Sequence, residues 1–146
     1  MLGEDAKVAV PELLTLGKRR IGTIGREEAI GALGRIGPSA EAAIPTLLAI
    51  TSNVKDPDRP DAIRSLGLIR SFSESVVPVL ASCLLDSNKV IRRDAVQAPG
   101  EFGEAAKSSV PSLIPLLTDP FEHVREEATN ALKRIDREAA TKAGIP

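Results

Sequence analysis

Cys83 and His123 are the residues of this sequence that could form a cysteine–histidine catalytic pair. The chain of 146 residues contains one cysteine and one histidine. A cysteine nucleophile needs a neighbouring base that stabilises its thiolate. The helical pattern described below places Cys83 on the inward side of a helix and His123 in a distant turn. We therefore expect Cys83 to be a buried, small apolar residue, and we assign no catalytic residue.

Metal and phosphate chemistry have equally little support in the sequence. One cysteine and one histidine cannot form a zinc site of the Cys-cluster or His-Glu-x-x-His type. The glycines of residues 22–25 lack the Gly-Lys-Ser/Thr ending of a phosphate-binding loop. Glu27 and Glu28 are adjacent on a predicted helix, so their carboxylates diverge and complement the helix dipole. The sequence predicts no cofactor, no metal and a protein that is not an enzyme.

Composition favours an ordinary globular binding protein. Hydrophobic residues make up 42% of the chain, charged residues 27%, and the net charge is −1. Aromatic residues make up 2%, without tryptophan or tyrosine, which argues against base-stacking platforms and aromatic cages. No apolar run approaches the roughly 20 residues needed to cross a bilayer, and no secretory signal is visible. We expect a cytoplasmic protein with no membrane contact.

The elements that position these residues come from an internal repeat of 33 residues. Alanines recur at this spacing at Ala29, Ala62, Ala95 and Ala128. Arginines recur in the same register at Arg26, Arg59, Arg92 and Arg125, which we call the arginine series. An acidic residue precedes each of the alanines. Such registration over most of the chain predicts a stack of similar units.

Each period contains two helical patterns. The first helix carries an apolar stripe such as Ala29, Ile30, Leu33 and Ile36. The second helix opens on a Val-Pro or Ile-Pro dipeptide whose proline suits the first helical turn. These prolines are Pro11, Pro45, Pro78 and Pro111. Because one helix pair cannot bury its own stripe, the pairs are expected to stack on one another.

The blocks resemble HEAT repeats, in particular the short HEAT-like repeats of bacterial, phycobilisome lyase-type proteins. The resemblance rests on residues 32–48, which read ALGRIGPSAEAAIPTLL, and on Asp119, Val124-Arg125, Ala128, Ala131-Leu132 and Ile135. It implies an all-α fold, a right-handed α-α superhelix or HEAT-like solenoid of about four repeats of 33 residues. Tetratricopeptide and ankyrin repeats fit less well, because their Trp/Tyr and Thr-Pro-Leu-His signatures are missing.

The predicted organisation is a single HEAT-like repeat domain over residues 1–146. It consists of a half repeat at 8–20, repeats at 25–53, 58–86 and 91–119, a last helix at 124–136 and a C-terminal tail at 137–146. Either the chain is a piece of a longer array or its ends are caps. The unpaired N-terminal helix would leave apolar surface, which could serve as a homo-oligomer contact.

The resemblance also implies a structural ladder in which a turn aspartate bonds the arginine at the next helix start. Asp86 with Arg92 and Asp119 with Arg125 have the same six-residue spacing. In the earlier repeats Arg20 and Asn53 stand at the aspartate positions, which puts the ladder in doubt there. The alternative for this row of arginines is an anion-binding stripe.

A further departure is Pro99, which replaces the leucine that the other repeats carry at this position of the first helix. Proline removes a helical hydrogen bond and clashes with the preceding turn, at a cost of about 3 kcal/mol. We expect this helix to be kinked or shortened, either through drift of the repeat or as a bend that shapes a binding surface.

In HEAT-like stacks the second helices line the concave side, and this resemblance defines a second-helix face. Its outward positions are Glu12, Thr15, Thr46, Ala49, Val79, Ser82, Ser112 and Pro115. None is a lysine or arginine, so a nucleic-acid partner is disfavoured. The small, nearly uncharged positions favour a protein or peptide partner of unknown identity, held by a non-enzymatic scaffold. Alternatively, these are merely short solvent-facing residues.

Two other functions stay open at the level of sequence. The basic inter-repeat turns Lys18-Arg19-Arg20 with Arg26, and Lys89 with Arg92-Arg93, could bind nucleic acid or phosphate. Pairing of these cations with Glu27, Glu28 and Asp94 is the alternative. A lyase-like enzyme subunit is suggested by the family's lyase-type members alone, and no residue constellation supports it.

Overall fold

The computed structural model describes residues 4–146, and every regular element in this range is helical. The α-helices are α1 (Val10–Gly17), α2 (Arg26–Ile36), α3 (Ile44–Ser52), α4 (Arg59–Ile69), α5 (Ser73–Cys83), α6 (Lys89–Phe102), α7 (Val110–Leu113), α8 (Glu122–Ile135) and α9 (Arg137–Lys142). Segments of 3₁₀-helix cover Glu4–Ala9, Gly37–Ala43, Gly103–Ser109 and Ile114–Thr118. None of the helices in the described range combines the length and apolar character needed to cross a bilayer.

The chain forms two compact units, Met1–Phe72 and Ser73–Pro146. In the first unit, α2 packs against α1 and α4, and α3 packs against α4. The stripe residues Ile30 and Leu33 of α2 are completely buried, as are Leu47 of α3 and Ile63 and Leu66 of α4. Full burial of such a side chain stabilises the fold by about 1.5–3 kcal/mol, so the repeated apolar positions form the core of this unit.

The second unit repeats this arrangement with α5–α9. Here α6 packs against α5 and α8, and α9 packs against α8. Leu80 and Leu84 from the α5 region, Leu113 of α7, and Leu132 and Ile135 of α8 have at most 1% of their surface exposed. The same periodic pattern therefore provides each unit with its own core.

A glycine allows α2 and α4 to approach closely. A Cβ atom added to Gly34 would lie 2.8 Å from the Ser65 Cα atom and 2.6 Å from its Oγ atom. The hydroxyl of Ser65 donates to the backbone oxygen of Ile30, also on α2, at 2.9 Å. Gly34 is thus a helix-packing residue.

The turns use residues that favour a break in the helix. Gly25 and Gly37 flank α2 with φ values of 84° and 78°, a left-handed region that glycine enters without strain. The Asn88 side chain accepts from the backbone N–H of Val90 at the start of α6. Asp136 accepts from Ala139 N–H at the start of α9. Side-chain caps of this kind typically contribute about 1 kcal/mol.

Three prolines lie where the sequence predicts, and two lie inside helices. Pro11, Pro45 and Pro111 lie in the first turn of α1, α3 and α7. Pro78 instead lies inside α5, because that helix begins earlier, at Ser73. Pro99 lies inside α6, and this helix is not shortened: it runs for 14 residues. Buried contacts of the surrounding residues Ala98 and Gly100 therefore outweigh the local preference of proline to end a helix.

Two segments near the C-terminus differ from the predicted helix pair and tail. The second helix of the last pair keeps four α-helical residues, Val110–Leu113, before continuing as 3₁₀-helix. Pro115 lacks the N–H that would bond Pro111 four residues earlier, which favours the tighter winding. Residues 137–146, expected to be a tail, contain helix α9, and its Ala140 is buried against the second unit.

Candidate functional site

The arginine series makes one hydrogen bond in common. Each arginine begins a first helix or lies in its first turns, and its guanidinium donates to a backbone oxygen in the preceding turn or helix end. The bonds are Arg26 Nε to Gly17 O at 3.2 Å, Arg59 Nε to Thr51 O at 2.9 Å, Arg92 Nη1 to Asp86 O at 2.9 Å and Arg125 Nη1 to Asp119 O at 2.8 Å. Gly17 and Thr51 lie at the C-terminal ends of α1 and α3, where the last carbonyls lack a helical partner, so Arg26 and Arg59 act as C-terminal caps. Arg92 and Arg125 bond turn carbonyls instead.

Arg26 also binds two carboxylates of the following inter-repeat turn. Its Nη1 and Nη2 atoms lie 2.9 and 2.7 Å from the two carboxylate oxygens of Asp56, a bidentate pair. Asp58 forms a further ion pair with Nη1. Hydrogen bonding by Arg26 holds the pKa of Asp56 below its usual value of 3.8, although burial opposes the shift. The turn between α3 and α4 is therefore fastened to the start of α2.

Arg92 forms the corresponding pair in the second unit. Its Nε and Nη2 atoms lie 2.8 and 3.2 Å from the carboxylate oxygens of Asp119. This hydrogen bonding is the main reason why the pKa of Asp119 lies below its usual value. Asp119 Oδ1 also accepts from the backbone N–H of Phe121 at 2.9 Å, which fixes the turn before α8.

These contacts correct the expected pairing in one respect. The sequence pairs Asp119 with Arg125, whereas the Asp119 carboxylate binds Arg92, 27 residues earlier, and Arg125 bonds the backbone oxygen of Asp119. Likewise, Arg92 reaches Asp86 through the backbone oxygen of that residue. The aspartate joins successive arginines because its carboxylate and its carbonyl point to different repeats.

Sequence reasoning missed Asp56 and Asp58, because it searched for an aspartate six residues before each arginine. Asp56 lies three residues before Arg59. A better signal is the Asp-Pro dipeptide, which occurs at Asp56-Pro57 and Asp119-Pro120 and in both cases provides the bidentate carboxylate.

The predicted second-helix face is accessible at every position. Glu12, Thr15, Ala49, Ser82 and Pro115 are exposed, and Thr46, Val79 and Ser112 are half-buried. Two of the hydroxyls bond their own helix: Thr15 Oγ1 donates to Pro11 O at 3.0 Å and Ser82 Oγ to Val79 O at 2.7 Å. These positions therefore present more methyl and methylene surface than their residue types suggest.

The two basic turns differ in how many of their cations contact an aromatic ring or a carboxylate. In the second unit, Lys89 lies over the Phe121 ring at 4.5 Å from its centroid, and Arg93 pairs with Asp94 at 2.8 Å. In the first unit, Lys18, Arg19 and Arg20 are all exposed. Among the side chains that the structure describes, no carboxylate forms an ion pair with these three, so the expected pairing with Glu27 and Glu28 is not observed.

An open groove in the first unit lies beside the Lys18-Arg19-Arg20 turn. Its volume is about 700 Å³, and Thr46 and Ala49 of helix α3 also line it. We call it the basic groove. It brings together one of the predicted basic turns and part of the second-helix face, two features that sequence reasoning treated separately.

Cys83 and His123 lie in different surroundings. Cys83 is 4% exposed and belongs to the core of the second unit, at the inward position that its register predicts. The His123 imidazole is exposed and lies 3.5 Å from Glu126. No group of three or more metal-ligating side chains is found in the part of the chain that the structure describes.

Comparisons with known proteins agree with this architecture. A family model described as HEAT repeats matches residues 23–99 and 77–143. The crystal structure of an engineered protein from the Northeast Structural Genomics Consortium is 24% identical and has a TM-score of 0.72, over 92% of this chain and 68% of that one. A second engineered protein from the same consortium is 21% identical with a TM-score of 0.71, over 92% of this chain and 41% of that one.

This chain spans about two fifths of the second engineered protein. Comparison with curated proteins gives no match. The structural similarities support an all-α superhelical repeat fold.

Proposed function

The chain belongs to the HEAT repeat family, and we propose that it is a non-enzymatic scaffold that holds a protein partner on its second-helix face. Repeats of this family commonly serve as protein-interaction scaffolds. Stacked repeats provide extended surfaces, whereas catalysis requires a convergent set of reactive groups. Cys83 is buried, and the described residues include no group of three or more metal-ligating side chains.

The observation that carries this proposal is the chemistry of the second-helix face. Its eight positions are exposed or half-buried, and one of them, Glu12, is charged. Interface centres are depleted of charge, because desolvating an unpaired ion is costly. The internal bonding of the Thr15 and Ser82 hydroxyls further reduces the polarity that a partner would have to match.

The same face argues against nucleic acid as the partner. Binding a phosphate backbone requires a row of lysine or arginine side chains, and the face contains none. Arg26 and Arg92, which belong to the basic turns, are held by Asp56 and Asp119. Binding of phosphate through these two arginines would break pairs that fasten the repeats.

The test begins with affinity capture from the native host and identification of the partner by mass spectrometry. The double variant Val79→Arg, Ser82→Arg then places two cations on the face within the second unit. We expect the dissociation constant for the identified partner to rise at least tenfold, since each desolvated charge costs more than about 1.4 kcal/mol. Circular dichroism melting checks that the variant is folded.

Gln97→Arg provides the matched control, because Gln97 is an exposed, uncharged residue of the first helix α6. It should leave the affinity within about twofold, a difference of less than 0.5 kcal/mol. Equal affinity of the wild-type protein and the double variant would contradict the assignment of the face. Pairing of two copies through the N-terminal end stays a prediction, and sedimentation of the unbound protein checks it.

A further inference from the structure

The basic groove of the first unit combines three free cations with an apolar wall. Lys18, Arg19 and Arg20 follow the C-terminus of α1 and line one side of the groove. Ile21, 45% exposed, and Ala49 and Ile50 of α3 also line it. With about 700 Å³, the groove has the size of a site that takes a few side chains, and it is open to an extended chain.

The net charge of the groove is positive because its other ionised groups cancel. Arg26 and Asp56 also line the groove, but they form a bidentate pair with each other. Asp58, which does not line the groove, adds a second carboxylate to the same guanidinium, so this cluster as a whole has a net charge of −1 against the three cations of the turn. The turn of residues 18–20 therefore contributes three charges that no described carboxylate neutralises.

A positive potential beside apolar surface selects one kind of ligand. Arginine pairs well with carboxylates because its planar fork matches both oxygens. The exposed Ile21 and the small side chain of Ala49 leave space for an apolar side chain between the cations and α3. An extended peptide, at about 3.3–3.6 Å per residue, would place acidic and apolar residues on these two surfaces within a few positions.

We propose that the basic groove binds an acidic segment of the protein partner, with its carboxylates on Lys18, Arg19 and Arg20 and an apolar side chain against Ile21 and α3. This inference rests on the proposed function, since Thr46 and Ala49 belong to the second-helix face. It goes further by assigning the chemistry of the ligand and the part of the chain that selects it.

A nucleic acid fits the groove less well than an acidic peptide. Single strands are held by a cationic track together with aromatic side chains on which bases stack. The cations are confined to one turn, and the residues that line the groove include no aromatic side chain. The residues of α3 that line the groove, Pro45, Thr46, Ala49 and Ile50, carry no charge, whereas a backbone of phosphates would need cations along its length.

The experiment measures fluorescence anisotropy of a labelled peptide of the sequence Glu-Glu-Leu-Glu-Glu-Leu-Glu-Glu with the full chain. Parallel arms use a peptide in which lysine replaces glutamate, one in which serine replaces leucine, and a labelled single-stranded oligothymidylate. We expect the acidic peptide to bind at least tenfold more tightly than the other three. Its affinity should fall as salt rises from about 50 to about 500 mM, because exposed charges are screened.

Two variants locate the binding. The first is a triple variant that combines Lys18→Glu, Arg19→Glu and Arg20→Glu. It should reduce the affinity for the acidic peptide at least tenfold. The control is a second triple variant with Lys107→Glu, Lys133→Glu and Arg137→Glu, which reverses three exposed cations outside the groove. It changes the net charge of the protein equally. Any loss of peptide affinity in this control therefore measures the long-range electrostatic field alone. Ile21→Ser keeps all three cations and should weaken binding of the leucine-containing peptide while sparing the serine-containing one.

Any one of three outcomes would overturn the proposal: no binding of the acidic peptide, an equal effect of the two triple variants, or preferential binding of the oligonucleotide. These outcomes are separate from the test of the proposed function. That test uses Val79 and Ser82 of the second unit and an identified partner, so capture there can succeed when the groove binds no acidic peptide.

Discussion

The arginine series shows how one side chain can satisfy acceptors that belong to different parts of the chain. Arg26 is 5% exposed and Arg59 is 8% exposed, so their charges are largely removed from water. Burial of a charge is tolerated when the group is paired and hydrogen-bonded. Arg26 meets this condition through Gly17 O and the carboxylates of Asp56 and Asp58.

The replacement Asp56→Asn tests the contribution of this pair and its dependence on pH. Because Arg26 lowers the pKa of Asp56 below 3.8, the ionised carboxylate stabilises the folded state above that value. The stabilisation disappears as pH falls through the lower, folded-state pKa. At pH 7 the variant should lose about 3 kcal/mol of unfolding free energy, and below about pH 4 the difference from wild type should shrink.

Urea unfolding followed by circular dichroism, measured across this pH range, checks the result. Asp61→Asn serves as the control, because Asp61 pairs with the more exposed Arg64 in the adjacent turn of α4 and such pairs contribute less than about 1 kcal/mol. A pH-independent difference between wild type and Asp56→Asn would contradict the assigned role of the carboxylate.

At the scale of residues, the sequence reveals donors more readily than acceptors. The spacing of 33 identifies all four arginines. Their hydrogen-bond acceptors are of three kinds: a carboxylate, a turn carbonyl and a helix-end carbonyl. The Asp56 carboxylate lies outside the strict period because the turn before α4 places it three residues, and not six, before the arginine. A backbone oxygen leaves no trace in the sequence, so the bonds to Gly17 and Thr51 could not be predicted.

Helices of the first unit approach each other at a glycine, and this contact is sensitive to a single methyl group. An alanine Cβ at position 34 would lie within 3.0 Å of Ser65 Cα, which cannot move without its helix. Gly34→Ala should therefore lower the unfolding free energy by about 2 kcal/mol, as overpacking does in other cores. Thermal and urea unfolding both report the change.

Gly31→Ala, on the same helix, provides a control of opposite sign. The nearest atom to the added Cβ is Arg35 Nη1 at 3.3 Å, the end of a flexible side chain. Here the higher helix propensity of alanine should raise the unfolding free energy by up to about 1 kcal/mol. Destabilisation of equal size by the two substitutions would contradict the role assigned to the contact with Ser65, because only the Cβ added at position 34 meets that residue.

At the scale of elements, periodicity predicts the helices and their buried faces, while prolines cause the departures. Pro11 and Pro45 begin helices as expected, because their position in the first turn costs no hydrogen bond. Pro99 remains within α6, since tertiary packing can outweigh an intrinsic preference. At Pro115, by contrast, the α-helix does not continue, and the chain around this residue forms a 3₁₀-helix. Sequence alone does not state which preference prevails.

The chain forms two compact units, each of which contains buried apolar side chains, and repeat proteins gain stability from each repeat and its immediate neighbours. Local unfolding should therefore remain local. We expect Gly34→Ala to accelerate amide hydrogen exchange in peptides covering α2–α4 and to leave peptides covering α8 and α9 nearly unchanged. Mass spectrometry of the exchanged protein resolves the two regions.

Equal acceleration in both regions would contradict this expectation and would mean that the chain unfolds as one cooperative body. The repeat family and the all-α fold could be predicted from the sequence because they depend on pattern. The basic groove could not, since it depends on which turn lies opposite α3 in space.

Asp119 accepts from Arg92 through its carboxylate and from Arg125 through its carbonyl, and these two arginines are 33 residues apart. In a tandem copy of residues 92–124, the copied arginine would donate to the carbonyl of the original Asp119, which precedes it in the chain. It would also donate to the carboxylate of the copied aspartate, which follows it. Insertion of a whole period would therefore preserve this pair of hydrogen bonds at the joint.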